Sequence, residues 1–345
     1  MSPLTDPPLF GPGTMNTPWG LGSRLKVVEL ASDFFDHRNH RACCAAVGRV
    51  PRTGATLVPF TLNEFLKYLD VKRAFQRTPN AFRVLQIVQR MVSSGLLICT
   101  ARGDSAIPAL EDRYVYLVTP QDAQRAPFRW VPVLGPEYMY RLCTPALVHI
   151  TGTTAQCCAV AGTGLVVDPR HVLTCRHVVS DMNVHPKQVF QRREYVVTDG
   201  SIHRHPELDV AVIRVDRPSL TPVTGAFWRP PVVAQTVYTL GYPKLPGLRD
   251  ASVTMQPGTV TNESVTSFNG ESMFLYSAIS RPGNSGGPVM SDDGYVVGLS
   301  IVDATGQYRT NDAFSPHYAG IPAHVVAEGV KDLGLNIELP FEHYQ

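Results

Sequence analysis

Apolar positions recur at helical spacing over the first third of the chain and in short, broken runs over the remainder. Between residues 24 and 48, Leu25, Val28 and Phe34 or Phe35 mark one face of a helix or helix pair, which Gly48 and Pro51 bring to an end. Thr61-Leu62-Asn63-Glu64 is a capping box, in which the Thr61 hydroxyl and the Glu64 carboxylate each satisfy a free N–H at a helix start, and predicts a helix from Leu62 to about Leu69. Thr78-Pro79 is predicted to open the next helix, with Pro79 at its first position, Phe82, Leu85, Val88 and Val92 along its apolar stripe and Gly95 at its end. Leu96 to Cys99 and Tyr114 to Val118 then read as the strands of a hairpin around a polar turn at Gly103-Asp104. From Ala146 onward, Val148, Ile150, Val160 and Leu165 to Val167 form short β runs interrupted by glycine, and such strands continue to about 302. Ala323 to Leu333 is predicted as a terminal helix.

This pattern predicts a mainly β chain in four parts: a flexible, proline- and glycine-rich lead over 1–22, a small α+β domain over 23–120, a proline-rich linker over 121–145 and a domain of antiparallel barrels over 146–345. The linker carries Pro127, Pro132, Pro136 and Pro145 among Trp130, Tyr138 and other large apolar residues, and is expected to pack on something. In the 23–120 domain, the order helix, helix, hairpin and the phrase Val92-Ser93-Ser94-Gly95-Leu96-Leu97 resemble a winged-helix domain. Arg73, Arg77, Arg83 and Arg90 would then offer a basic face to DNA. The hairpin adds only Arg102 and Arg113, with Asp104, Glu111 and Asp112 close by, so a protein-binding regulatory or adaptor module is the expectation and nucleic acid the alternative.

Composition narrows the setting. The 345 residues are 44% hydrophobic, enough for two cores, and a net charge of +2 neither requires nor excludes an acidic partner. No run approaches the roughly 18 apolar residues of a membrane span, and the N-terminus lacks the basic start and apolar run of a secretory signal. Seven cysteines, an odd number that includes the neighbours Cys43-Cys44 and Cys157-Cys158, do not make a disulfide framework, and a cytosolic location is expected. Zinc would need Cys157, Cys158, Cys175 and His177 to meet by folding, without paired C-x-x-C elements; neither a metal nor another cofactor is expected.

The chemistry concentrates at Ser280-Arg281-Pro282-Gly283-Asn284-Ser285-Gly286-Gly287-Pro288. A serine hydroxyl needs a base beside it and donors aimed at the oxygen that turns negative in the transition state. Gly283 lets its own N–H and that of Ser285 converge on one point, and Gly286-Gly287 leaves the approach clear of side chains. The pattern G-x-S-x-G also marks the α/β-hydrolases, so the upstream residues decide. His177 follows the apolar Val172-Leu173, and Asp209 heads the strand Val210-Ala211-Val212-Ile213. An α/β-hydrolase would run Ser, Asp, His; the order His177, Asp209, Ser285 is that of the chymotrypsin-type triad.

Residues from about 140 to 335 resemble a trypsin-like serine peptidase of the HtrA/Deg type. The resemblance rests on Gly162-Thr163-Gly164-Leu165-Val166-Val167, Val172-Leu173-Thr174 leading to His177, Asp209 to Ile213, Gly241-Tyr242-Pro243, Gly258-Thr259-Val260 and the Ser285 loop, in the family's order. Gly294 to Leu299 and Tyr318 to Pro322 resemble its closing strands, and a C-terminal PDZ domain is not expected. The resemblance implies a double antiparallel β-barrel of the chymotrypsin type and a serine endopeptidase acting on a protein or peptide. His177 would be its base, Asp209 the group orienting it, Ser285 the nucleophile, and the N–H groups of Gly283 and Ser285 the oxyanion hole.

Asn284 stands where secreted trypsin-like enzymes carry an aspartate that pairs with a newly cut N-terminus, so control is expected to come from loop ordering, with the N-terminal domain, or a protein partner bound to it, as the regulator. Ile279, six residues before Ser285, replaces the pocket-floor aspartate of enzymes that cut after lysine and arginine, so an apolar P1 residue is expected. Ser300-Ile301-Val302 is expected to form an edge strand that pairs with substrate backbone. Arg281 is either at the pocket rim or a solvated charge, and Cys175 is read as an inert buried thiol. Two competing functions are a DNA-binding regulator with a signal-responsive or self-cleaving peptidase domain, and a peptidase fold kept only for binding. A peptidase joined to a sensor-like module also resembles bacterial defence systems in which cleavage of a partner triggers the response.

Overall fold

The computed structural model describes residues 19–51, 58–76, 79–104, 107–245, 247, 249–267, 269–301 and 318–342. It comprises two compact units, one of Met1–Gln124 with Trp130–Tyr138 and one of Arg125–Arg129 with Met139–Gln345.

In the first unit, α1 (Leu21–Phe35) turns Val27, Val28, Ala31, Phe34 and Phe35 inward and stops at Asp36, whose carboxylate accepts the Arg38 N–H. The helix pair read from the sequence is completed by α2 (His40–Val47), closed by Gly48 at φ +74°. A short strand β1 (Phe60–Thr61) leads into α3 (Leu62–Val71), where the capping box forms in both directions: Glu64 N–H donates to Thr61 Oγ1 at 3.2 Å and Thr61 N–H to Glu64 Oε2 at 2.8 Å. The next helix, α4 (Ala81–Ser93), begins later than expected, because Asn80 rather than proline caps it by accepting from the N–H groups of Phe82 and Arg83; Thr78 lies outside the described residues. Phe82 is 60% exposed, and the buried stripe is Val84, Leu85, Ile87, Val88 and Met91.

The hairpin strands are β2 (Leu97–Ala101) and β3 (Arg113–Tyr116), joined through a short helix α5 (Pro108–Glu111), and β1 adds on to give the antiparallel order β1-β3-β2. Phe34 holds the unit together, its ring 4.4 Å from Phe60 and 4.7 Å from Tyr68.

The stretch 121–145 is helical: α6 (Pro120–Gln124), α7 (Val131–Leu134) and α8 (Pro136–Cys143). Pro132 and Pro136 sit in the first turns of α7 and α8, where a missing N–H costs no helical bond, so they start helices instead of breaking them. Residues 130–138 group with the first unit and 125–129 and 139–145 with the second.

The second unit is mainly β. One layer is a six-stranded antiparallel sheet built from β4 (Leu147–Thr153), β5 (Ala159–Val166), β6 (His171–Thr174), β7 (Asn183–Val184), β10 (Ile202–Arg204) and β11 (Ala211–Arg214), in the order β10-β11-β6-β5-β4-β7. A one-turn helix α9 (Arg176–Ser180) follows β6, and β8 (Lys187–Phe190) and β9 (Arg193–Val196) form a separate hairpin. The other half is a closed barrel of β12 (Thr236–Gly241), β13 (Thr254–Thr266), β14 (Ser272–Tyr276), β15 (Pro288–Ser291), β16 (Val296–Ile301) and β17 (Tyr318–Pro322), packed around Val237, Val260, Phe274, Tyr276, Ala278, Val289 and Val297. The terminal helix α10 (Ala323–Asp332) buries Val325, Val326 and Val330. The double-barrel plan is therefore present as one closed barrel and one half-barrel sheet. No helix among the described residues is long and apolar enough to cross a membrane.

Candidate active site

Strand register brings His177 to Asp209. Thr174, the last residue of β6, pairs with Ala211 of β11, so the chain leaving β6 toward His177 and the chain entering β11 from Asp209 run side by side. Cys175 is extended and opens α9, so His177 lies in its first turn. The loop bearing Asp209 is shaped by His205, a buried side chain whose Nδ1 accepts from the N–H groups of Glu207 at 3.1 Å and Leu208 at 2.8 Å, while Arg176 donates to Pro206 O at 2.6 Å. Asp209 then accepts twice from His177: Oδ1 from the backbone N–H at 2.8 Å and Oδ2 from Nδ1–H at 2.7 Å. That bond fixes the tautomer and leaves Nε2 as the acceptor.

Burial by itself would lower the His177 imidazole, but the hydrogen bond to Asp209, the Asp209 charge and the charges of Asp181 and Glu271 outweigh it and hold the pKa above the ordinary 6.5. A second His–Asp pair, His171 with Asp168 at 2.6 Å, is local to the turn at the other end of β6.

Ser285 lies in the loop between β14 and β15, with Gly283 at φ +102° and Gly286 at φ +83°, a region that favours glycine. Both glycines are also closely approached. A Cβ on Gly283 would stand 2.3 Å from Tyr242 O, and one on Gly286 2.2 Å from Thr174 Oγ1 and 3.1 Å from Cys175 N. The loop thus rests directly on the end of the strand that delivers His177. Within it, Pro282 O accepts from Lys244 N–H at 2.8 Å and Asn284 O from Gly287 N–H at 2.9 Å. In a trans peptide the N–H points opposite to its C=O, so the N–H groups of Gly283 and Ser285 are directed away from those two bonds.

Ser300 departs from the expected edge position. It is fully buried, its C=O accepts from Gly286 N–H at 2.9 Å, its N–H donates to Gly287 O at 2.8 Å, and Gly320 of β17 pairs on the other side. A closed barrel leaves no edge there, and the first β16 residue beyond these bonds is Ile301; Val302 lies outside the described residues. The Ser300 hydroxyl instead joins Ser280 Oγ at 2.8 Å and Tyr276 OH at 2.9 Å in a buried hydroxyl cluster. Ile279 is 45% exposed and carries no charge, and Arg281 is exposed.

Cys175 is buried and its Sγ faces Ser300 O at 3.6 Å. Cys175, His177 and Asp209 form the group of possible metal donors among the described residues, within 4.8 Å of one another, and it excludes Cys157 and Cys158, which are exposed at the β4–β5 turn. Burial holds the Cys175 thiol well above its ordinary value, which disfavours the thiolate that a metal would need.

Two features had no clear signal in the sequence. A cavity of about 660 Å³ opens beside Gly283, lined by His149, Tyr242, Lys244, Leu245, Arg249 and Pro282 among others. Thr163, quoted above only as part of a glycine motif, is buried and bonds to the backbone of both Gly283 and Ser285.

The profile of the trypsin-like peptidase domain matches residues 162–299, a span that contains His177, Asp209 and Ser285. No curated protein matches the sequence. Among solved structures, the chain is similar to the Rv3671c protease from M. tuberculosis in its active form, at 22% identity and a TM-score of 0.45 over 59% of this chain and 86% of that one. It is also similar to the serine endoprotease from Yersinia pestis, at 18% identity and a TM-score of 0.44 over 57% of this chain and 65% of that one. With the closed barrel, the half-barrel sheet and the matched profile in agreement, residues 162–299 are a trypsin-like peptidase domain, and the chain carries a serine endopeptidase.

Proposed function

We propose that the peptidase domain cleaves protein substrates through Ser285, His177 and Asp209. The observation that carries this reading is the pair of hydrogen bonds from His177 to Asp209 at the point where the Ser285 loop rests on β6. Ser285 Oγ attacks the scissile carbonyl as its proton passes to His177 Nε2. The tetrahedral oxyanion is held by the N–H groups of Gly283 and Ser285. His177 then returns the proton to the leaving amine, and water attacks the acyl-enzyme by the same route. The direct test is a fluorophosphonate probe, whose label peptide mapping should locate on Ser285.

For specificity, the reading assigns an apolar P1 side chain to the neighbourhood of Ile279 and main-chain pairing of the substrate to β16 from Ile301 toward Val302. The cavity beside Gly283 offers room to residues adjoining the scissile bond. A cation entering a P1 site without a countercharge loses several kcal/mol of hydration, whereas an apolar group gains about 25 cal/mol per Å² buried. A peptide library should therefore be cut after valine, alanine or leucine at least about tenfold better in kcat/KM than after lysine or arginine. Preferential cleavage after arginine would reject the apolar site. Asp303 and Asp312, outside the described residues, would then be replaced by asparagine in turn.

The first unit is assigned a winged-helix-like regulatory role. Support comes from its order of two helices, strand, two helices and hairpin, with β1 beside β3. Three of the basic side chains that DNA binding would use have local partners: Arg90 donates to Val133 O, Arg102 pairs with Asp112 at 2.9 Å, and Arg113 donates to Pro59 O at 2.8 Å. That favours a protein-binding face over a phosphate-binding one. A reducing compartment such as the cytosol is part of the proposal, supported by seven free cysteines. So is a signalling role, in which ordering of the peptidase loops releases a cut in a protein partner, as in bacterial defence.

Cleavage of one peptide by the full chain and by residues 139–345 should differ in rate, and DNA should not alter the full chain's rate. Equal rates under every condition would remove the regulatory role. Salt-sensitive retention of the full chain on DNA would move the reading to the DNA-binding regulator.

A further inference from the structure

We propose that Thr163 is a positioning residue that sets the oxyanion hole, an inference that rests on the assignment of Gly283 and Ser285 to that hole. Thr163 lies on β5, is fully buried, and makes four hydrogen bonds to three other segments of the chain. Its N–H donates to Ser285 O at 2.9 Å, and its Oγ1 donates to Gly283 O at 2.6 Å. The same Oγ1 accepts from Tyr242 N–H at 2.9 Å, and its own carbonyl accepts from Thr174 Oγ1 at 2.8 Å, three residues before His177. One side chain therefore joins the backbones of the nucleophile loop and the Gly241-Tyr242-Pro243 turn, while its backbone joins the nucleophile loop to the His177 strand.

The hydroxyl has a particular task because Gly283 is unconstrained by itself. At φ +102° with no Cβ, the peptide joining Gly283 to Asn284 has more than one allowed orientation, and a rotation there changes where the neighbouring N–H groups aim. The Thr163 hydroxyl selects one orientation by holding Gly283 C=O, while Lys244 N–H holds Pro282 C=O on the preceding peptide. Two peptides in succession are thereby fixed on either side of the Gly283 Cα, the first of them carrying the Gly283 N–H. Threonine suits the position because its branched Cβ restricts χ1 on a strand, so the Oγ1 direction is set by the β5 backbone. Valine would have the same shape and would leave one buried acceptor, Gly283 O, and one buried donor, Tyr242 N–H, without a partner.

The test compares Thr163→Val, Thr163→Ala and Thr163→Ser in the full chain. Thr163→Val should lower kcat by about 10²-fold, in the range found when a positioning contact or an oxyanion donor is lost. KM should stay within about twofold and the acid limb of the pH profile should not move, because His177 and Asp209 are untouched. A peptide aldehyde, which forms an oxyanion on binding, should lose affinity in step with kcat, while a product peptide should not. Thr163→Ser restores the hydroxyl and should recover activity to within a few-fold. Wild-type turnover in Thr163→Val, or equal losses in the serine and valine variants, would overturn the proposal. Failure of both the valine and alanine variants to fold, judged by circular dichroism, would also overturn it, since the hydroxyl would then hold the fold and not aim the hole. Labelling of Ser285 in the wild-type chain separates these outcomes from a failure of the triad assignment, which would abolish labelling in every variant alike.

Discussion

Ser285→Ala is expected to abolish peptide cleavage and fluorophosphonate labelling while leaving the fold in place. Loss of the nucleophile from an acting triad costs on the order of 10⁶ in turnover. The fold survives because the loop is held through backbone groups that alanine keeps: Ser285 O still accepts from Thr163 N–H, Asn284 O from Gly287 N–H, and Ser300 O from Gly286 N–H. The change in stability should be within about 1 kcal/mol, which a thermal melt would read. Undiminished labelling would place the nucleophile elsewhere. The neighbouring Ser280 hydroxyl is buried against Ser300 and the Cys175 thiol is held in its neutral form, so neither offers an easy substitute.

Asp209→Asn is expected to lower kcat by about 10³- to 10⁴-fold with little change in KM. The reason is visible in the two bonds that Asp209 accepts. A carboxylate has an oxygen for the His177 backbone N–H and another for Nδ1–H, whereas an amide has one oxygen and one NH₂ group. If the amide oxygen keeps the backbone N–H, the NH₂ faces Nδ1, which must then give up its proton; Nε2 becomes the protonated nitrogen and cannot take the proton of Ser285. If the amide turns over, two donors meet at the backbone N–H. Either way the productive arrangement is lost.

The same substitution predicts a shift in pH dependence. In the wild-type chain the base must be neutral, so kcat/KM should rise with pH through a pKa above 6.5. With the Asp209 charge gone, burial, which lowers the imidazole, has less to oppose it, and the acid limb should move to lower pH. A loss of tenfold or less with an unmoved acid limb would mean that another group orients His177.

Sequence is most informative about this chain where chemistry is tied to order and local pattern. The capping box at Thr61 and Glu64 concerns atoms three residues apart, and it formed as read. Short β runs broken by glycine pointed to antiparallel barrels because alternation and turn residues are local properties of a strand. The order of His177 and Asp209 in the chain pairs them, and the two side chains do meet.

Other features were hidden because they depend on partners that sequence spacing does not reveal. The prolines of 121–145 read as those of a linker, yet Pro132 and Pro136 stand in first turns, where two helices form around them. Phe82 matched the helical stripe by spacing but lies outside it, since α4 begins at Ala81 and the packed face follows Val84, Ile87 and Val88. Ser300 read as an edge residue, and the closing of the barrel made it an interior one, with its N–H and C=O committed to the Gly286-Gly287 backbone. Residue types and their order alone determined a chain with a peptidase's chemical groups and the strands to carry them. Only the tertiary structure decided how the groups are aimed, because the bonds that aim them join Thr163 to Gly283 across 120 positions and His177 to Asp209 across 32, distances over which no local pattern is imposed.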